Sequence, residues 1–142
     1  MEEITGASGA VPRDDLVRMD AHAERFYEEI RKRTSDIEAV ARNTGFSRED
    51  VARVKQHVFF DIHDLGSETP ERFSPDYDMA VSWQRLIDGR NIQEMDMVLL
   101  RHEMLEEELM ARGTNYYTAH KQAEAVHNFT IHVKRLNKEV SI

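Results

Sequence analysis

A chain of 142 residues with a formal net charge of −8 and no cysteine cannot use disulfides, thiolate metal ligands or a thiol nucleophile, and a reducing compartment is its natural setting. The acidic balance sets the surface as a whole against phosphate backbones, so nucleic-acid binding would need a local basic patch. No stretch approaches the roughly 20 apolar residues of a spanning helix, and Met1 to Ala10 has neither the basic start nor the apolar centre of a signal peptide, which points to the cytoplasm and away from membranes.

Residues 1–13 carry Gly6, Ser8, Gly9 and Pro12 with little apolar content and read as a flexible leader or linker; residues 14–142 read as one domain. From Asp14 to Arg33, Leu16, Met19, Ala23, Phe26, Tyr27 and Ile30 recur at steps of three and four, the spacing of one helix face. Thr34 and Ser35 can cap a second helix through Ile37, Val40 and Ala41 that Gly45 stops, and Ser47 can cap a third with Val51, Val54 and Val58 inside. The pair has the outline of a helix-turn-helix, but Glu49 and Asp50 stand where base contacts would be made, so a packing hairpin is the simpler reading.

Val58 to Ile62 is short, apolar and partly β-branched, either a strand or the fraying end of the third helix. Residues 66–73 hold turn formers and Pro70 and form a loop. Ser74 as cap with Pro75 in first position predicts a helix to about Asp88, ended by Gly89. Another helix runs from about Glu94 to Arg112, ended by Gly113, and a last one from about Tyr116 toward Lys138, capped by Thr114 or Asn115. The expected fold class is mostly α: a single compact domain of about five to six helices, with one short β element at most, near 58–62.

The helix from Glu94 carries the chemistry. Met95, Val98, Leu99, Leu105 and Leu109 form its apolar stripe, and His102 and Glu106, one turn apart, fall within it. A buried carboxylate without compensation costs several kcal/mol, so Glu106 must find a cation, a proton or hydrogen-bond donors. One answer is a metal: imidazole and carboxylate at i and i+4 can share zinc or another divalent ion, and Glu103 sits where HExxH metallopeptidases keep the base that activates water. Here Glu106 replaces the second histidine of that motif. A third ligand must come from elsewhere, His120 first and His63 next. The other answer is a structural network in which His102 and Glu106 pair with each other or with Arg72 or Arg85. Phe73, Tyr77 and Trp83 are candidates to line a pocket, although aromatics at helical spacing commonly form core. His22, His57 and His132 stand among charged neighbours and read as surface residues.

The segments Asn43-Thr44-Gly45-Phe46-Ser47, His63-Asp64-Leu65-Gly66, Arg72-Phe73-Ser74-Pro75-Asp76-Tyr77-Asp78, Ser82-Trp83-Gln84-Arg85-Leu86, Leu99-Leu100-Arg101-His102-Glu103 and Ala119-His120 together resemble a domain at the C-terminal end of phage minor head (head morphogenesis) proteins, also seen in polymorphic-toxin-like proteins. The resemblance spans about His22 to Phe129 and departs at Ala125-Val126-His127-Asn128-Phe129, where an aromatic is usual. It implies a phage- or mobile-element-associated effector of zincin-like type, cytoplasmic or virion-associated, with a phage or host protein as partner. Carried over position by position, it implies that His63, Arg72, Trp83, Arg85, His102, Glu103, Glu106 and His120 line a site. The reading of the helical motif puts His102, Glu106 and His120 on a divalent metal and makes Glu103 the base on bound water, with a peptide or amide as substrate. A non-enzymatic interaction module holding the same residues as a buried His/Glu/Arg network is the alternative.

Overall fold

The computed structural model describes residues 13–141, so the leader expected over residues 1–13 lies almost wholly outside it. Leu16–Lys32 (α1) buries Met19, Ala23, Phe26, Tyr27 and Ile30, the face that the spacing selects except for Leu16, which stays exposed in the first turn, and Asp15 caps it by accepting from Arg18 N at 3.0 Å. Asp36–Thr44 (α2) and Arg48–Lys55 (α3) form the helical hairpin. Gly45, at φ 84°, takes the left-handed turn between them, and Ser47 Oγ accepts from Asp50 N at 3.0 Å. Ser35 precedes α2 without a side-chain capping bond.

Val58 to Ile62 is not a strand. The chain leaves α3 through one π-turn, Gln56–Phe60, which buries His57, Val58 and Phe59 in succession. Asp61 N closes it on Gln56 O at 2.8 Å, and Arg31 Nε donates to Phe59 O at 2.7 Å. The widened turn lets three consecutive side chains enter the interior, where an α-helix keeping Val51, Val54 and Val58 inward would turn Phe59 away. The one β element among the described residues is an isolated antiparallel bridge between His63 and Glu71.

Tyr77–Asp88 (α4) starts two residues later than Pro75, because Asp76 rather than Ser74 accepts from an orphan amide, Met79 N, at 2.9 Å. Glu94–Ala111 (α5) follows. The long final helix predicted from Tyr116 is two helices, Tyr116–Val126 (α6) and Phe129–Ser141 (α7). Asn128 Oδ1 accepts from Ile131 N at 3.0 Å and Glu124 Oε1 from Thr130 N at 2.9 Å, so side chains supply a new N-terminus where the sequence pattern runs on. The protein is thus a mostly helical single domain with seven α-helices among the described residues, more than the pattern separates. None is long and apolar enough to cross a membrane.

Phe26, Tyr27, Ile30, Val40, Val54, Phe59, Trp83, Leu86 and Leu100 form the main core. Two buried polar systems are threaded through it. Asp36 accepts from Lys55 Nζ at 2.7 Å and from Trp83 Nε1 at 3.2 Å. Asp96 accepts from Arg85 Nε and Ser82 Oγ, both at 2.7 Å, and also reaches back to Gln93 N at 2.9 Å, which locks the start of α5 to α4. Arg85 is 1 % exposed, so Asp96→Ala would leave a buried guanidinium without its carboxylate. The expected loss is about 3–5 kcal/mol in a urea titration; a loss below about 1 kcal/mol would show that Asp96 does not anchor the two helices.

Candidate metal centre

α5 packs against α3, α4, α6, α7 and the π-turn, and His102 and Glu106 point from it into that junction, each 2 % exposed. Glu106 meets three imidazoles from three elements. His57, brought inward by the π-turn, donates through Nε2 to Oε1 at 2.8 Å. His102, one turn earlier on α5, donates through Nε2 to Oε2 at 3.2 Å, and His120 on α6 through Nδ1 to the same oxygen at 2.9 Å. Glu103 is next in line: its Oε2 is 3.6 Å from His57 Nε2, and its side chain is 12 % exposed.

His102 is committed at both ends. While Nε2 faces Glu106, Nδ1 lies 3.2 Å from the His127 carbonyl and 3.2 Å from Glu124 Oε2. A neutral imidazole has one N–H, so with acceptors on both sides the ring either carries both protons or turns a lone pair toward a cation at Nε2. Without a metal the first holds. Burial works against the His102 cation, but the hydrogen bond to Glu106 and the Glu103 charge outweigh it and raise its pKa to about 9. His57 is raised against the same burial by Glu106 and Glu103. Burial alone would push Glu106 up; the bonds from His102, His57 and His120 hold it well below the ordinary carboxylate range. Glu103 goes the other way, pushed up by burial and by the neighbouring Glu106 charge.

Two sets of potential ligand atoms result. His57, Glu103 and Glu106 place one atom each within 4.8 Å of one another, and so do His102, His120 and Glu124. Of these, Glu103, Glu106 and His120 line a cavity of about 360 Å³ together with Phe73, Tyr116 and Phe129. A second cavity of about 260 Å³, between Arg53, Arg101 and Glu107, holds none of the imidazoles that meet Glu106.

Of the residues singled out from sequence, His102, Glu103, Glu106 and His120 come together here. His63 is one step away: its Nε2 donates to His57 O at 2.9 Å and its ring stacks on Phe73 at 4.2 Å, so it props the site and contributes no atom to it. Arg72 is exposed and donates to Phe60 O at 3.3 Å; Trp83 and Arg85 belong to the Asp36 and Asp96 systems. Neither arginine neutralises Glu106. His57 is the main correction: it is 2 % exposed and central, not a surface residue. It lies three residues after Val54 and was readable from that spacing, but Lys55 and Gln56 beside it mask the face. His22 is likewise buried, between Phe26 and Tyr77, whereas His132 is partly exposed. Glu124, four residues after His120, was not anticipated. His127 acts through its carbonyl, which any residue would supply. No family, curated protein or solved structure was found to match the chain.

The paired shifts set a pH profile for chelator-treated protein. His102 holds its proton more tightly when folded, so its contribution is complete below about pH 6.5 and is lost as pH rises through about 9. Glu106, depressed on folding, contributes above about pH 4.5 and loses that as pH falls below it. Glu103, raised to about 7, takes stability away as pH climbs from about 4.5 through 7. Denaturant titrations should therefore find a maximum near about pH 4.5 to 5, an acid flank from Glu106 and an alkaline decline from Glu103 and then His102, with both flanks flattened in Glu106→Gln. Unchanged flanks in that variant would place the titrating groups elsewhere.

Proposed function

We propose that this domain is a metal-dependent hydrolase of peptide or amide bonds, with His102, Glu106 and His120 holding a divalent ion of zinc type and His57 completing the set. The observation that carries the reading is the meeting of three imidazole nitrogens on one buried carboxylate at the wall of a cavity. The donor set fits such an ion. Replacing the shared protons by one cation leaves each ring neutral, with a lone pair toward the ion, and His102 keeps its Nδ1–H on His127 O and Glu124. An outer carboxylate or carbonyl of that kind is the usual partner of a zinc-bound histidine, because it fixes the tautomer and the ring plane. Imidazole and carboxylate oxygen are ordinary zinc ligands.

The ion, when bound, supplies a Lewis acid for the scissile carbonyl. Glu103 does the proton work: it lines the same cavity, and its raised pKa suits a group that takes a proton from the attacking water and passes it to the leaving amine. Between those transfers Glu103 is the neutral acid, the form that its burial favours. The resemblance to phage minor head and toxin-like domains supports an effector setting with a phage or host protein as target. A second reading is favoured by one observation: Glu106 already accepts three hydrogen bonds, which would suffice for an interaction module stabilised by that network.

Elemental analysis of protein purified without chelators separates the two. Stoichiometric metal is expected, together with a rise in Tm on adding zinc. His120→Ala, at a side chain 45 % exposed, should keep the fold and weaken zinc binding by roughly a hundredfold or more. Glu103→Gln should retain zinc and lose amide hydrolysis by about 10²–10⁴-fold. Absence of metal and an unchanged Tm would favour the interaction module.

A further inference from the structure

The cavity beside these ligands has walls of two kinds. α5 and α6 contribute Glu103, Glu106 and His120, while the loop before α4 and the start of α7 contribute Phe73 and Phe129, with Met79 and Tyr116 between. The aromatic walls are held in place. Phe73 is stacked on His63 at 4.2 Å and lies 5.2 Å from Tyr116, and the His63–Glu71 bridge ties its loop across. Tyr117 Oη donates to Leu65 O and pins the same loop to α6.

The carboxylates around the cavity are already engaged. Asp76 caps α4 through Met79 N, Glu106 takes three imidazoles and Glu103 faces His57. Their negative charge opposes an acidic group, and most of the rest of the lining, Tyr27, Val58, Phe73, Met79, Leu99 and Phe129, is apolar or aromatic. At about 360 Å³ the space is near the lower end of the roughly 300–1,000 Å³ usual for ligand pockets, enough for one large side chain and the amide beside it.

Resting on the hydrolase reading, we infer that this cavity is the side-chain subsite of the peptide substrate and takes a large apolar residue of the phenylalanine or leucine class. The carbonyl of that residue then lies toward Glu103, Glu106 and His120, and its side chain between Phe73 and Phe129.

Hydroxamates, which chelate zinc without being hydrolysed, test this by calorimetry on the zinc-loaded chain. Acetohydroxamate reports the metal alone; the hydroxamates of N-acetyl-phenylalanine, N-acetyl-lysine and N-acetyl-aspartate add one side chain each. The phenylalanine probe should bind about tenfold or more tighter than acetohydroxamate, as burial of one aromatic side chain implies, with the aspartate probe weakest. Ser74→Trp, at an exposed loop position on the cavity wall, should remove that preference while leaving acetohydroxamate bound. Equal binding of the phenylalanine probe and acetohydroxamate, a preference for the lysine probe, or a phenylalanine preference that survives both Ser74→Trp and Phe129→Ala would overturn the subsite. Failure of acetohydroxamate to bind at all would instead overturn the hydrolase reading on which the subsite rests.

Discussion

A carboxylate buried where three elements meet has to be compensated, and the arrangement of the chain around Glu106 follows from that requirement. α5 alone supplies only His102. The second imidazole, His57, is buried on the π-turn after α3, and the third comes from the start of α6 after the Gly113 turn. The break between α6 and α7 serves the same centre, because it exposes the His127 carbonyl to His102 and lets Glu124 hold both that ring and the Thr130 amide.

The molecule keeps its ionic groups in systems of different kinds. Arg85 with Asp96 and Lys55 with Asp36 join helices across the core, and an arginine there cannot give up its proton. Such pairs lock geometry and offer no exchangeable position. The Glu106 system uses imidazoles instead, a side chain whose ring nitrogen can carry a proton or hold a metal ion. That difference, together with the neighbouring cavity, is why the chemistry is assigned to Glu106 and not to the more deeply paired Arg85.

Much of this was legible from spacing. The buried face of α1, the cap at Ser47, the turn at Gly45 and the inward turn of His102 and Glu106 all follow from three- and four-residue periodicity and turn chemistry. What compensates Glu106 was legible only in part. His120 was reached as the histidine near the start of the next helix, but His57 was hidden because Lys55, which pairs with Asp36, and Gln56 make that stretch look solvent-facing. A π-turn has no sequence period of its own to announce it. Asn128 was a readable capping residue, and continuing the helix past it concealed how α7 closes the site. The arginines were misplaced for a general reason: sequence shows that a buried acid needs a partner, but not which basic residue the topology brings to it.

The central claim is that Glu106 and its imidazoles form a metal centre, and X-ray absorption at the zinc edge of the loaded protein tests it most directly. The account expects two or three imidazole nitrogens at about 2.0–2.1 Å with carboxylate oxygen at about 2.0–2.2 Å, and loss of one nitrogen shell contribution in His57→Ala or His120→Ala. A first shell of oxygen alone, unaltered by either substitution, would contradict it and place the bound ion on the acidic surface.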